Sequence, residues 1–589
     1  MKKIPLVMLF VLLLLAPQAI HAENSEGRSR YDLKIVVDVE NFVISGTESV
    51  IYYNNSGVEL DELYFTLYPN AFDDGEGIPA VIDEETYPNG FDPGYIDIEV
   101  REHEYSIIDD IFLKIDLSSP LGPGETENIY MDFEIKIPEM KYRFGHYEDI
   151  IYAGNCFPQA CVYMDGQWAL YPYISRGDPF FSEAANWNID LMLDRDWELA
   201  TSGTVVKKFE NGLLYEYEIE APLTRDYAFS CSPSYESLTG DYNDITIYSY
   251  YMPGHEIGGA YSLQYAIDSI ELFEEIYGDY PYESFTIAET HLGVGAGMEY
   301  PQLVFIDSYY YDIYDESFFE ITVVHEVAHQ WWYSVVGNDE YKESYIDESL
   351  AQYSTLMYFK NYYENYRESY YMPYIMDTYI THADEAVNII DLPLDEFASD
   401  PEYFLMAYIK APIVLDIMSM YTGQEEFLEY LSQLYNENMY SIIDGKHIID
   451  SMNEHFGDAM AGDIFETMIR TDAMPDAFAG ESFKEDGHYN INILYINELE
   501  IPVEVKLEYS DGTSELLGPL TNYTGTMEKT IERYVIDPRE LLIEENEDNN
   551  IGYLIDKPVE KEDDNDYVLV GLALILLILI SYTIIKRKK

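Results

Sequence analysis

Apolar and polar side chains alternate through Tyr31-Asp32-Leu33-Lys34-Ile35-Val36-Val37-Asp38-Val39, the period of a strand with one covered face. Ser49-Val50-Ile51-Tyr52-Tyr53 runs into the turn residues Asn54-Asn55-Ser56-Gly57, and Glu62 to Tyr68 stops at Pro69-Asn70. This spacing predicts an antiparallel β domain over residues 30–240. From 241 to 480 the period lengthens: a helix is expected from Ile257 to Tyr277, ended by Gly278, then a strand at Ser284–Thr290 and helices at Ile409–Tyr421 and Glu425–Tyr435. Alternation returns at Tyr489–Ile496 and Val503–Tyr509, with Asp511-Gly512 as a hairpin turn. Residues 481–543 are therefore read as a small β-sandwich, and the whole as an α+β multidomain chain. No internal repeat stands out.

Both ends carry membrane-related patterns. Lys2-Lys3, the apolar run Leu6–Ala16 and Ile20-His21-Ala22 read as a signal peptide over residues 1–22, with an uncleaved anchor as the alternative. Residues 567–585 are apolar and long enough for a transmembrane helix, and the basic tail 586–589 follows at once. Basic flanks favour the cytoplasmic side, so the expected placement is single-pass in the cell membrane with an extracellular ectodomain. A GPI signal is the competing reading. Residues 544–566, rich in Asp, Glu and Asn, are read as a solvated acidic stalk.

Charge narrows the partners. With 111 acidic against 32 basic side chains the net charge is -79, which argues against nucleic acid. Such a surface repels itself and is best tolerated where salt screens it, so a saline or alkaline exterior is expected. The 59 tyrosines supply ample core material. Cys156, Cys161 and Cys231 are too few for a disulfide scaffold; Cys156 and Cys161 are the closer pair for a bridge, a point the sequence leaves open.

The chemistry concentrates at His325-Glu326-Val327-Ala328-His329. Residues i and i+4 share a helix face, so both imidazoles can reach one zinc ion, and Glu326 can act as a base on water. Glu348 follows after eighteen residues (330–347) and opens a second helical run, which suits it as third ligand. A His, His, Glu set leaves a fourth position open, the pattern of catalytic zinc.

Two further segments accompany this one: Ala296-Gly297-Met298-Glu299-Tyr300-Pro301 upstream and Tyr408-Ile409-Lys410-Ala411 downstream. Together the three resemble the M1 family of zinc aminopeptidases, gluzincins with a thermolysin-like, mostly α catalytic domain between β domains. The upstream segment is similar to the family's GAMEN or GGMEYP motif and the downstream one to its YxKG segment. Phe157-Pro158-Gln159 and Gly177-Asp178-Pro179-Phe180-Phe181 add weaker echoes. Tyr300, Ala411 and Tyr345 depart from the commonest forms without removing a catalytic atom.

The resemblance implies one Zn2+ held by His325, His329 and Glu348, Glu326 as general base, and Tyr408 stabilising the tetrahedral stage. It also implies Glu299, with Gly297 and Met298, as the substrate-binding edge that recognises a free α-amine, with Gln159 joining that site. The expected activity is removal of N-terminal residues from extracellular peptides. A zinc endopeptidase and a catalytically silent surface-binding protein are the alternatives. Side-chain preference and oligomeric state are not legible.

Overall fold

A computed structural model describes residues 27–73, 85–293, 296–313, 316–383, 386–457, 459–496, 499–526, 528–538, 542 and 547–556. The expected signal peptide, transmembrane helix and basic tail lie outside the described residues. Two compact units are present, the first ending at Ala473 and the second beginning at Met474.

The first unit opens with the alternating strand seen in the sequence. Arg30–Asp38 buries Tyr31, Leu33, Ile35 and Val37 and turns Arg30, Lys34 and Asp38 to water. It lies inside a seven-stranded sheet, antiparallel to Val43–Tyr53 on one side and parallel to Ala185–Asp194 on the other. The sheet is thus mixed rather than purely antiparallel. The parallel neighbour arrives after a long crossover, which removes the hairpin constraint that forces antiparallel pairing.

A five-stranded sheet carries the chain into the helical region. Its order is Glu236–Tyr242, Ile245–Tyr251, Ser284–Thr290, Leu303–Asp307, Gly297–Met298. Ser284–Thr290 is buried along its whole length, as befits a central strand covered on both faces. Helix α1 (Glu256–Ile276) packs on this sheet and on α2 (Glu316–Ala328), and α2 packs on α3 (Tyr345–Tyr362). α3 is buried from Tyr345 to Phe359, so it is a core helix with little amphipathic signature.

One continuous helical stretch runs from Asp400 to Thr422. Its middle, Leu405–Lys410, is a π-helical turn, and α4 (Ala411–Thr422) completes it. Among the described residues this is the stretch long and apolar enough to cross a membrane by length and composition. It is largely buried inside the first unit, where its apolar side chains serve the core.

The second unit holds a five-stranded and a four-stranded sheet. Tyr509 and Ser514 flank the Asp511-Gly512 turn, and the strands Val503–Tyr509 and Ser514–Leu520 pair antiparallel. The acidic-stalk expectation needs correction. Ile551–Gly552 pairs with Ile531–Ile536, and Leu554–Asp556 lies parallel to Ser482–Glu485. Isolated apolar residues in an acidic stretch are enough to complete open sheet edges.

The three cysteines are buried free thiols, so Cys156 and Cys161 are not bridged.

Candidate active site

Helix α2 ends at Ala328, and His329 continues its last turn by donating its backbone N–H to the carbonyl of His325 at 3.3 Å. The i, i+4 spacing therefore survives to the end of the helix and brings the two imidazoles together on one face, edge to face with ring centres 4.6 Å apart. α3 brings Glu348 against them. His325 Nε2 and His329 Nε2 are 3.1 Å apart. Glu348 Oε2 lies 3.2 Å from the first and 3.4 Å from the second.

These separations test the metal. Two bonds of about 2.0–2.1 Å at a tetrahedral angle hold their ligand atoms about 3.3–3.4 Å apart. The N, N, O triangle matches zinc in both size and donor type. His329 Nδ1 lies 2.9 Å from the carbonyl of Trp332, so it donates there and leaves Nε2 free as a ligand.

Glu326, on the same helix, is buried and keeps Oε2 without a hydrogen-bond partner. Burial pushes its carboxyl up to about 8; His329 opposes that rise and Glu348 adds to it. Burial also acts to raise Glu348, yet hydrogen bonds from the two imidazoles hold it down at about 2. The site thus sets a carboxyl raised by burial at Glu326 beside one lowered by its imidazole hydrogen bonds at Glu348.

The strand Gly297–Met298 is the wall facing Glu326. A Cβ on Gly297 would meet Glu326 Oε1 at 2.1 Å, so only glycine lets the strand come this close to the Glu326 side chain. Strand alternation then sends Met298 the other way. Its side chain is buried in a core cluster with Tyr152, Ala288 and Phe305, which corrects its expected substrate-binding role. Glu299 turns back to the site: its carboxylate lies within 4.8 Å of a His329 nitrogen and a Glu326 oxygen.

Glu299 is aligned from the β-rich part of the unit. Tyr300 is fully buried and donates its hydroxyl to Asn155 Oδ1 at 3.0 Å. A Cβ on Gly154 would sit 1.8 Å from that hydroxyl. Gln330, next to His329, donates its amide to the Tyr300 carbonyl at 3.2 Å.

Tyr408 projects from the π-helical turn, a local widening often found at functional positions. Its hydroxyl donates to Glu348 Oε1, and its ring lies 5.8 Å from that of His325. Gln159 does not join the group. Its amide donates to the carbonyl of Arg225, and among the described residues no contact links it to Glu299. The short strand Gln159–Ala160 is tied to Leu60–Thr66, which fixes its direction.

Several neighbours escaped the sequence reading. Glu340 and Asp347 bring carboxylates to within 4.8 Å of Glu299. Arg143 and Asp178 form a nearly buried ion pair, and the Asp178 charge is felt at Glu299 and Glu326. Asp178 lay in a segment already singled out; Glu340 and Asp347 carry no spacing signal that could have found them.

Residues 261–470 match the model of the peptidase family M1 domain. That segment carries a peptidase family M1 domain. The relatives the chain matches in sequence are distant. A leucyl aminopeptidase of Saccharolobus solfataricus is 22% identical over 289 residues, covering 46% of this chain and 36% of that protein. The tricorn protease-interacting factor F2 of Thermoplasma acidophilum is 22% identical over 288 residues, with the same coverage of 46% and 36%. This chain therefore matches about a third of the length of these relatives. In fold it is similar to an M1 zinc metallopeptidase from Deinococcus radiodurans, with a TM-score of 0.54 at 13% identity, covering 77% of this chain and 95% of that one. Another structure from the same organism, a mutant bound to a Tyr-Ser-Ala substrate, has a TM-score of 0.54 at 14% identity and covers 76% and 95%.

Proposed function

We propose that this chain is a zinc aminopeptidase that removes single residues from the free N-terminus of peptides. The observation that carries the reading is Glu299, a buried carboxylate within 4.8 Å of both His329 and Glu326. A zinc endopeptidase has no use for an anion there. An aminopeptidase needs one to hold the α-ammonium and fix the distance from the chain end to the scissile bond.

His325, His329 and Glu348 would hold one zinc ion per chain, which when bound supplies Lewis acidity for water activation and carbonyl polarisation. Glu326 takes a proton from the attacking water and returns one to the leaving amine. Tyr408 offers its hydroxyl as a donor to the oxygen that gains charge at the tetrahedral stage. Glu299 holds the ammonium through both steps. The reading extends to placement: the patterns at residues 1–22 and 567–585 support an exported enzyme anchored by one C-terminal helix.

The test is a panel of free-amine peptides and their N-acetyl counterparts. Single amino acids should be released from the former alone, and a chelator should stop release. Equal cleavage of both sets would replace the reading with an endopeptidase. Glu326→Gln should keep the zinc, measured by elemental analysis, and lower kcat by about 10²–10⁴.

A further inference from the structure

A second convergence lies beside the zinc-fitting group. Glu299, Glu340 and Asp347 each bring a carboxylate oxygen to within 4.8 Å of the other two. They are 4%, 2% and 2% exposed, so all three are out of water. They come from separate stretches: the strand edge after Met298, the short helix Glu340–Glu343 between the second and third zinc-fitting residues, and the first turn of α3. Asp347 accepts one hydrogen bond from Asn338 Nδ2 at 3.0 Å. Glu340 Oε2 is buried with no hydrogen-bond partner at all. Among the described residues, no lysine or arginine pairs with any of the three.

Three carboxylates this close repel one another, and a buried one without a partner is costly. The arrangement calls for a compact cation with several donors. Glu299 decides which kind, because it also borders His329 and Glu326. A cation seated among the three carries whatever is bonded to it over the hydrolytic residues. An inorganic ion has nothing to carry there. A primary ammonium does, and it has three N–H donors, one for each carboxylate.

We propose that Glu299, Glu340 and Asp347 form a three-carboxylate seat for the primary α-ammonium of the substrate, with Glu340 and Asp347 as specificity residues additional to Glu299. The proposal rests on the aminopeptidase reading and deepens it. It predicts more than a need for positive charge. An N-methylated terminus keeps its charge but offers two N–H donors, as does an N-terminal proline. Either leaves one buried carboxylate unpaired and is rejected.

The experiment takes the 4-nitroanilide of the amino acid released fastest from the peptide panel, and its N-methyl form. Kinetics are measured for the full zinc-loaded chain, Glu340→Gln, Glu340→Asp and Asp347→Asn, with zinc content and melting temperature alongside. The unaltered enzyme should favour the primary amine by roughly ten- to a hundredfold in kcat/KM. Glu340→Gln should raise KM for the primary amine about tenfold, change kcat less, and shrink the discrimination against the N-methyl form, with zinc retained. A folded, zinc-loaded Glu340→Gln with unchanged KM and unchanged discrimination overturns the proposal. If Glu340→Gln does not fold, Glu340→Asp, which keeps the charge but retracts it, is read against the same two outcomes. Elemental analysis after dialysis against calcium and magnesium tests the inorganic alternative. A bound equivalent that vanishes in Glu340→Gln overturns the ammonium assignment. Failure of the underlying reading looks different: the unaltered enzyme would then cut N-acetyl peptides as readily as free ones.

Discussion

At Gly297 a single added methyl group would collide with the Glu326 carboxylate, the base of the proposed mechanism. Glu326 cannot retreat far, since it is buried on the same helix as two zinc-fitting imidazoles. Gly297→Ala should therefore leave zinc content intact and lower kcat by about a hundredfold, the usual effect of a misplacement near 1 Å. Kinetics and elemental analysis on the same sample check it. Glu48 sits far from this chemistry but is as constrained. It occupies a core-facing position of its strand, between Leu33 and Met131 on the neighbouring strands, with neither oxygen hydrogen-bonded. Burial raises its carboxyl well above the ordinary 4.5. The folded chain then keeps that proton to higher pH than the unfolded chain does. The stability this gives is complete below the unfolded value and is lost as pH rises toward the folded one. Glu48→Met should remove the loss. Urea denaturation at pH 5 and pH 8 should show its advantage widening with pH, reaching about 1–3 kcal/mol.

Among the elements, the loop between His329 and Glu348 does most to set the site, and Arg225 holds it. This arginine is 2% exposed and donates to the carbonyls of Tyr333, Val335, Ser182 and Ser441. Gly337 packs so closely that a Cβ would lie 2.3 Å from the guanidinium carbon. Arg225→Met would strand several buried carbonyls and should cost about 3 kcal/mol or more by chemical denaturation. What was legible in the sequence follows the range of the forces involved. The helix now found at Glu256–Ile276 and the strand at Ser284–Thr290 depend on neighbours three or four residues away, so periodicity finds them. The facing of His325 and His329 follows from helix geometry alone. The start of the Asp400–Thr422 stretch was missed because its π-helical turn breaks the 3.6-residue period. Glu340 reaches Glu299 only through the path of the Arg225-held loop, and no local pattern encodes that path. Met298 was misplaced because the motif names it without saying which way a two-residue strand turns it.

Over the whole molecule, the balance of -79 charges sets conditions on stability. Among the described residues most carboxylates lie outside the buried core, and their mutual repulsion reaches about 8–10 Å at moderate ionic strength. Calorimetry should find the melting temperature rising from about 0.02 M to about 0.5 M sodium chloride, as screening weakens that repulsion. A flat profile would count against a saline setting for the chain. The contact of Tyr300 with Gly154 and Asn155 has a different kind of consequence. Glu299, which in the proposed function measures a peptide's free end, takes its alignment from a stretch with no part in the proposed bond breaking. Drift in that remote scaffold could retune which chain ends are accepted while the hydrolytic machinery stays as it is, so new preferences could arise without touching the helix that cuts.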